Sequence, residues 1–238
     1  MSRGAGRDPL LGRMRWFLFS AVVVIVLAPA CSRRPSPAAE PPAAFDEVLA
    51  RGKVFRGFHG KGSIALEHKA DRMTIPVEVR LSEDLVLEAH SEVSHFLLPF
   101  EGEVRLVSTD STTFLYTNIG AYDLAMTALD QSAIRAFLLS LGGGGDWLLW
   151  WLAREDCGRA RKTRCRGLEI ELEPHSRLPS ISRWEMREAS GGASFKGQVD
   201  EYEPGGLVPR VIRGVIQPQE ISVYLNYVDI FVGPMRPQ

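Results

Sequence analysis

The segment RMTIPVEVRL, Arg72 to Leu81, shows the pattern that organises most of the chain. Apolar side chains occupy every second position: Met73, Ile75, Val77, Val79 and Leu81. Polar side chains at Thr74, Glu78 and Arg80 alternate with them, so the segment predicts a β-strand with one dry face and one wet face. Pro76 lacks a backbone N–H, which favours an edge or a bulge over the centre of a sheet.

The same alternation recurs along the chain. It is found at Ile64 and Leu66, at Leu85, Leu87 and Ala89, at Val104 and Leu106, at Phe114 and Tyr116, at Leu168, Ile170 and Leu172, at Trp184 and Met186, in 195–202, in 211–216 and in ISVYLNYVDIFV from Ile221. Short connections between these segments predict an antiparallel meander of about ten strands, too many to remain flat. The predicted fold class is therefore mainly β, a curled antiparallel sheet that forms an incomplete barrel.

Helical periodicity is expected in two places. A short helix is predicted over Phe45–Arg51, and a longer insertion interrupts the strands after Ser132, its predicted N-cap. In the insertion Ile134, Phe137, Leu138 and Leu141 form an apolar stripe. The glycines of 142–145 predict a flexible hinge, after which Asp146 is expected to cap a second helix. Residues 147–152 are apolar on all sides, so this helix must be covered by protein or by lipid.

The N-terminus has the layout of a secretory signal peptide. Four arginines precede an apolar run from Trp16 to Leu27, which is short for a membrane span, and small residues lead to Cys31. The segment Leu27–Cys31 resembles a bacterial lipoprotein signal, in which the cysteine becomes a lipidated N-terminus. Plain secretion and an uncleaved anchor remain alternatives.

The resemblance to a lipoprotein signal divides the chain into three parts. Residues 1–30 are predicted to be the signal peptide, 31–44 the lipidated cysteine with a Pro/Ala-rich tether, and 45–238 a single folded domain. Such a protein is anchored by its lipid in the bacterial cell envelope. Ser32, which follows the cysteine, is consistent with the outer membrane facing the periplasm.

Composition and motifs argue against several functional classes. A net charge of −1 gives no general attraction to nucleic acid. No G-x-S-x-G elbow or phosphate-binding loop is present and the histidines lack metal-ligand spacing, so we expect no enzyme, no metal and no cofactor. Cys157 and Cys165 remain as a pair after Cys31 is lipidated, and in an oxidising compartment they are predicted to form a disulfide.

The layout as a whole resembles the LolA/LolB-type family of bacterial envelope proteins. The similarity includes the leading helix, the strand meander, the segment FLLPFEGEVRLVSTD over 96–110, the helical insertion over 122–152 and the two strands that follow Pro209. It implies a half-barrel closed by lid helices, with acyl chains of lipoproteins or other lipids in its interior. A lipidated Cys31 places the chain closer to the anchored LolB-like receptor, whose partners are the membrane and a periplasmic carrier protein.

This resemblance assigns candidate site residues. The predicted lipid-cavity lining consists of Ile75, Val77, Val79, Leu87, Leu106, Phe114, Ile170, Leu172, Trp184 and Met186. The predicted lid consists of Ile134, Phe137, Leu138, Leu141, Trp147, Trp150 and Trp151, and the predicted membrane-facing loop consists of Phe96, Leu97 and Leu98.

Each assignment has an alternative. The tryptophans also suit plain core packing or a membrane interface, and the loop also suits a buried strand end. If the two helices fill the interior completely, the protein is a structural or interaction lipoprotein of the same fold.

Overall fold

The computed structural model describes residues 43–93, 102–117, 120–124, 131–189, 191–204 and 208–234. The helices are α1 (Ala43–Val54) and α2 (Gln131–Arg154). The strands before α2 are β1 (Gly57–His68), β2 (Asp71–Ser82), β3 (Leu87–Val93), β4 (Gly102–Ser108), β5 (Thr113–Thr117) and β6 (Gly120–Asp123). Those after it are β7 (Lys162–Cys165), β8 (Leu168–Pro174), β9 (Ile181–Glu188), β10 (Ser194–Tyr202), β11 (Pro209–Gln217) and β12 (Ile221–Val232).

All twelve of these strands belong to one antiparallel sheet with the order β6-β5-β4-β3-β2-β1-β12-β11-β10-β9-β8-β7. The sheet is curled and does not close, which confirms the predicted fold class. The first and last strands are neighbours in the middle, whereas β6 and β7 form the two edges and α2 connects them along the chain. These edge strands are the two that the sequence did not predict, because four residues are too few for alternation to be visible.

Strand β2 follows the predicted alternation. Val77, Val79 and Leu81 are buried, at 8%, 3% and 0% exposure. Pro76 lies on this central strand, opposite Ser63 of β1, but the β2–β3 ladder covers only Glu78–Leu81. Pro76 is therefore tolerated within the sheet because it lies beyond the β2–β3 backbone ladder, where the Ser91 hydroxyl donates to its carbonyl and no backbone N–H is required.

In the second half of the sheet, β7–β12, aromatic side chains on the inner face pack over glycines of the neighbouring strand. A Cβ atom on Gly197 would come within 2.2 Å of the Trp184 ring, and one on Gly214 within 2.3 Å of the Phe195 ring. The Tyr227 ring covers Gly60 in the same way, at 2.6 Å. Glycine thus makes room for large rings, which fill the interior between β9 and β1.

Helix α2 is broken at Gly144, where φ is +72°. Its two halves turn back on each other, so that residues near both ends of α2 reach the same turn after β2. Arg135 donates to the Leu85 carbonyl at 3.0 Å and Arg154 to the Glu83 carbonyl at 2.5 Å. Gly142–Gly145 are buried, and a Cβ on Gly143 would lie 1.8 Å from the Trp147 ring. The break lies within the predicted hinge, and the glycines there serve close packing.

Helix α1 packs on the second half of α2. Phe45, Val48 and Leu49 are buried in the core. The Trp150 ring lies against Gly52, and its indole N–H donates to the Val48 carbonyl at 2.8 Å. No helix in the described part of the chain has the length and apolar character to cross a bilayer.

The Cys157–Cys165 disulfide is formed, with the Cα atoms 5.2 Å apart. It joins the segment after α2 to the end of β7. The bond therefore holds the short edge strand close to the end of the helix.

Candidate functional site

An apolar cavity of about 440 Å³ opens at the end of the sheet where β1 begins and β12 ends. Its apolar lining residues come from both helices and from three strand ends or their approaches: Val54, Phe55, Phe58, Trp147, Trp150, Val208, Pro209 and Val232. Cavities of this size and character hold small organic ligands. We refer to this space as the end cavity.

Stacked aromatic side chains form much of the cavity wall. The Phe58 ring meets the Trp147 ring edge to face, with centroids 5.0 Å apart, and contacts Tyr227 at 5.2 Å. Phe55 packs on Trp150 at 4.9 Å. These contacts fix the rings in position, since edge-to-face aromatic pairs favour defined geometries. This part of the wall is therefore aromatic and apolar.

An ion pair between the buried Asp146 and the half-buried Arg51 forms a polar part of the wall. Asp146, 3% exposed, accepts hydrogen bonds from the Ile181 N–H at 2.7 Å and from the Ser180 hydroxyl at 3.1 Å. Its other oxygen accepts from the Arg51 guanidinium at 2.9 Å, and Arg51 also donates to the Pro179 carbonyl. Asp146 was predicted to cap its own helix, and the structure instead shows it joining α2 to α1 and to the start of β9.

Burial shifts the acidity of this network. Desolvation raises the pKa of Asp146 to about 6, although Arg51 and the donors from Ile181 and Ser180 act in the opposite direction. Burial also raises the pKa of the neighbouring Tyr202 phenol to about 12. The Ser180 hydroxyl in this network is fully buried and does not line the end cavity. Among the described residues, no group of three or more His, Cys, Asp or Glu side chains is placed to hold a metal ion.

The ten predicted cavity-lining residues occupy other positions. Seven are buried in the core: Val77, Val79, Leu87, Ile170, Leu172, Trp184 and Met186. Ile75, Leu106 and Phe114 are half-buried, and none of the ten borders the end cavity.

Phe114 lies on the outer face of the sheet. The register pairs Phe114 with Val107, whereas Leu115 pairs with Leu106 and takes the inner position. Alternation could not reveal which of Phe114, Leu115 and Tyr116 faces the interior, because all three are apolar or aromatic.

The predicted lid residues divide into two groups. Trp147 and Trp150 border the end cavity, and Trp151 is 1% exposed in the core next to it. Ile134, Phe137, Leu138 and Leu141, on the first half of α2, are half-buried. Phe137 packs edge to face on Phe195 at 4.9 Å, and none of these four residues borders the end cavity.

Two sets of predicted residues lie outside the described part of the chain: Cys31, and the loop residues Phe96, Leu97 and Leu98. The residues that sequence reasoning missed include Arg51, Phe55, Phe58 and Val208, which surround the end cavity. Phe55 and Phe58 follow directly after a predicted helix, and this pair of aromatic residues is the local sequence signal that could have identified part of this set.

A second, larger depression lies on the outer face of β8–β12. Its volume is about 630 Å³, and charged side chains such as Glu173, Arg183, Lys196 and Arg213 surround it. These charges form ion pairs across the strands, including Lys196 with Glu185 at 3.4 Å and Arg213 with Asp200 at 3.3 Å. This surface suits solvation better than an apolar ligand.

Comparison with known proteins gave a fold and no sequence family. No protein-family model and no curated protein matches the sequence. Among solved structures, a LolA superfamily protein from Nitrosomonas europaea is similar over 80% of this chain and 94% of its own, with a TM-score of 0.52 and 10% identity. The chain has a LolA-like fold.

A second solved structure has the same fold. It is a putative outer membrane lipoprotein-sorting protein domain from Vibrio parahaemolyticus, which matches 81% of this chain and 93% of its own at a TM-score of 0.51 and 8% identity. At such low identity the LolA-like fold by itself does not assign a function, so the function is argued from the end cavity.

Proposed function

We propose that this chain is a membrane-anchored envelope lipoprotein that binds acyl chains in the end cavity. The observation that supports this most directly is an apolar space of about 440 Å³, open at one end and lined by Phe58, Trp147 and Trp150, within a LolA-like fold. A hydrocarbon chain gains about 0.8 kcal/mol for each methylene that leaves water. Binding then requires no catalytic group, only partition of the chain into the cavity.

The anchor in this proposal is a lipidated Cys31, followed by the Pro/Ala-rich tether. Two or three acyl chains on that cysteine would hold the domain at the membrane almost permanently. The tether keeps the end cavity at high effective concentration near the bilayer. This arrangement corresponds to the LolB-like branch, with a periplasmic carrier protein as donor and the outer membrane as acceptor, in lipoprotein localisation or lipid transfer.

Blocking the end cavity without disturbing the core tests the proposal. Val232 lines the cavity and is 50% exposed, so Val232→Trp places a ring in the opening without displacing buried atoms. Val228 lies on the same strand, is 67% exposed and does not line the cavity, which makes Val228→Trp the matched control. We expect Val232→Trp to abolish most uptake of a fluorescent fatty acid and Val228→Trp to leave it unchanged.

Absence of uptake by the well-folded parent chain would reject the proposal. Equal uptake by both tryptophan variants would place the bound chain elsewhere. Native mass spectrometry of the protein from its host membrane reports the modification of Cys31 and any bound lipid in one measurement.

A second candidate function, a structural or interaction lipoprotein, is favoured by one observation. The aromatic rings of Trp184, Phe195 and Tyr227 already fill the inner face between β9 and β1. Under this alternative the end cavity is a gap left by imperfect packing and has no ligand, and the parent chain takes up no fatty acid.

A further inference from the structure

The opening of the end cavity has an exposed apolar rim. Val54 at the end of α1 and Val232 at the end of β12 both line the cavity and are 68% and 50% exposed. Phe231, 56% exposed, precedes Val232 at the same strand end, with its side chain on the opposite face of the sheet, where its ring lies next to Gly233. Exposed apolar side chains grouped around an opening are typical of surfaces that contact a partner or a membrane. We call Val54, Phe231 and Val232 the mouth rim.

Basic side chains accompany the mouth rim. Lys53 precedes Val54 in the last turn of α1 and is exposed. Arg56 lines the cavity and meets Glu83 at 3.9 Å, with both side chains more than half exposed, so solvent weakens that ion pair. Apolar side chains next to long cations form the combination that enters the interface of an anionic bilayer, where each cation contributes about 1 kcal/mol.

The mouth rim lies at one end of the sheet. Phe58 pairs with Val232 and with Leu81, which in turn pairs with Leu87 at the start of β3. Val93 and Gly102, the paired residues that flank 94–101, lie at the far end of β3, six residues and about 20 Å away. A bilayer contact made by the strand ends at the mouth rim is therefore distinct from one made beyond Val93.

We propose that the mouth rim docks on an anionic lipid bilayer, with Val54, Phe231 and Val232 in the interface and Lys53 and Arg56 on the headgroups. The inference rests on the proposed function, because docking of this end brings the opening of the cavity against the bilayer. An acyl chain then passes between cavity and bilayer without crossing water. The bilayer is favoured over a protein partner because the rim is small, lies at the ends of a helix and a strand, and has the exposed cations Lys53 and Arg56 at its border.

Environment-sensitive fluorophores on single cysteines test the docking. Cys31→Ser removes a competing thiol from the full chain, which is then mixed with vesicles, and a label is placed by Val54→Cys or Val232→Cys. Labels at Val228→Cys and Tyr116→Cys, on residues 67% and 42% exposed elsewhere on the sheet, serve as controls. Vesicles contain a spin-labelled quencher lipid, with or without phosphatidylglycerol in a phosphatidylcholine background.

We expect quenching at positions 54 and 232 to exceed that at both control positions several-fold, and only on vesicles that contain phosphatidylglycerol. Lys53→Gln with Arg56→Gln should lower the docked population about tenfold or more, at about 1 kcal/mol for each charge. Equal quenching at 54 and 116, or stronger quenching of a label at Leu97→Cys, would overturn the proposal.

Fatty-acid uptake in solution by the parent chain separates this proposal from the proposed function. Normal uptake without quenching in the labelled chains refutes docking alone. Quenching at the mouth rim in a chain that takes up no fatty acid refutes the acyl-binding function alone.

Discussion

The two halves of the sheet hold helix α2 in different ways. In the second half, aromatic rings on glycines and the Asp146 network, with donors from Ile181, Ser180 and Arg51, fix the helix to β9 and α1. In the first half, Arg135, 2% exposed, reaches the Leu85 carbonyl and Asp110.

The guanidinium of Arg135 is only partly satisfied. Its Nε and Nη1 atoms are buried with no hydrogen-bond partner among the described residues, and burial lowers the pKa of its guanidinium. A buried cation that is incompletely paired contributes little net stability. Helix α2 is therefore held tightly by β7–β12, the second half of the sheet, and loosely by β1–β6, the first half.

The largest effect on stability is expected when an inward-facing side chain is truncated in each half of the sheet. Trp184→Ala removes a 3% exposed ring from the second half and should cost about 3–5 kcal/mol of unfolding free energy. Leu106→Ala, at a half-buried position in the first half, should cost about 1 kcal/mol, because part of its surface already meets water. Denaturant titration of both variants measures the difference, and equal costs would remove the contrast between the halves.

Next in size are the two buried charges. Asp146→Ala leaves the Ile181 N–H and the Ser180 hydroxyl without their acceptor and should cost about 3 kcal/mol. Arg135→Met leaves the solvated Asp110 and the Leu85 carbonyl without their donor but also removes an incompletely paired buried cation, so the stability of the variant should stay within about 1 kcal/mol of the parent. A loss of stability at Arg135 as large as that at Asp146 would show that both halves hold the helix equally.

The pH dependence of stability isolates Asp146 further. Its folded pKa of about 6 lies above the ordinary value of 3.8, so the folded chain holds this proton more tightly than the unfolded chain. The contribution of Asp146 to the unfolding free energy therefore falls as pH rises from about 4 to about 6, by about 2–3 kcal/mol in total, and is constant above that range. The difference between the parent and Asp146→Asn unfolding curves across this range measures it, and a flat difference would contradict the assignment.

The smallest effect concerns the glycines at the break in α2. A Cβ on Gly143 would lie 1.8 Å from the Trp147 ring, so Gly143→Ala should cost about 1–2 kcal/mol. At Gly142 the nearest ring atom is 3.0 Å away, and a gain in helix propensity of up to about 1 kcal/mol offsets that contact. If thermal unfolding shows both variants to be equally tolerated, the Trp147 ring moves away readily, as a movable hinge requires.

The sequence predicted the parts of the fold that repeat locally. Alternation over Arg72–Leu81 predicted β2 and its buried face, and the stripe after Ser132 predicted the first half of α2. It did not reveal how glycines and rings match across strands, because Trp184 and Gly197, or Phe195 and Gly214, meet only after pairing sets the register.

The candidate site depended on contacts that no local pattern encodes. The end cavity forms where α1, the break in α2 and the ends of β1 and β12 converge, so its lining combines residues such as Arg51 and Val208 that are far apart in the chain. Trp147 and Trp150 were singled out because an all-apolar helix must be covered. Their position at an opening, however, follows from the Gly144 turn and from the close approach of Gly52 to Trp150.

The pairing of β1 with β12 has a consequence for biosynthesis. These two strands form the centre of the sheet, and among the described strands β12 is the one that joins β1 to β11. A nascent chain that has been synthesised only as far as Gln217 contains two groups of strands, one before α2 and one after it, with no hydrogen-bonded ladder between them. The edge strands β1 and β11 of these groups still lack their common partner β12. Acquisition of the native sheet therefore waits for the last strand, and until then these borders are the surfaces that a chaperone would have to protect.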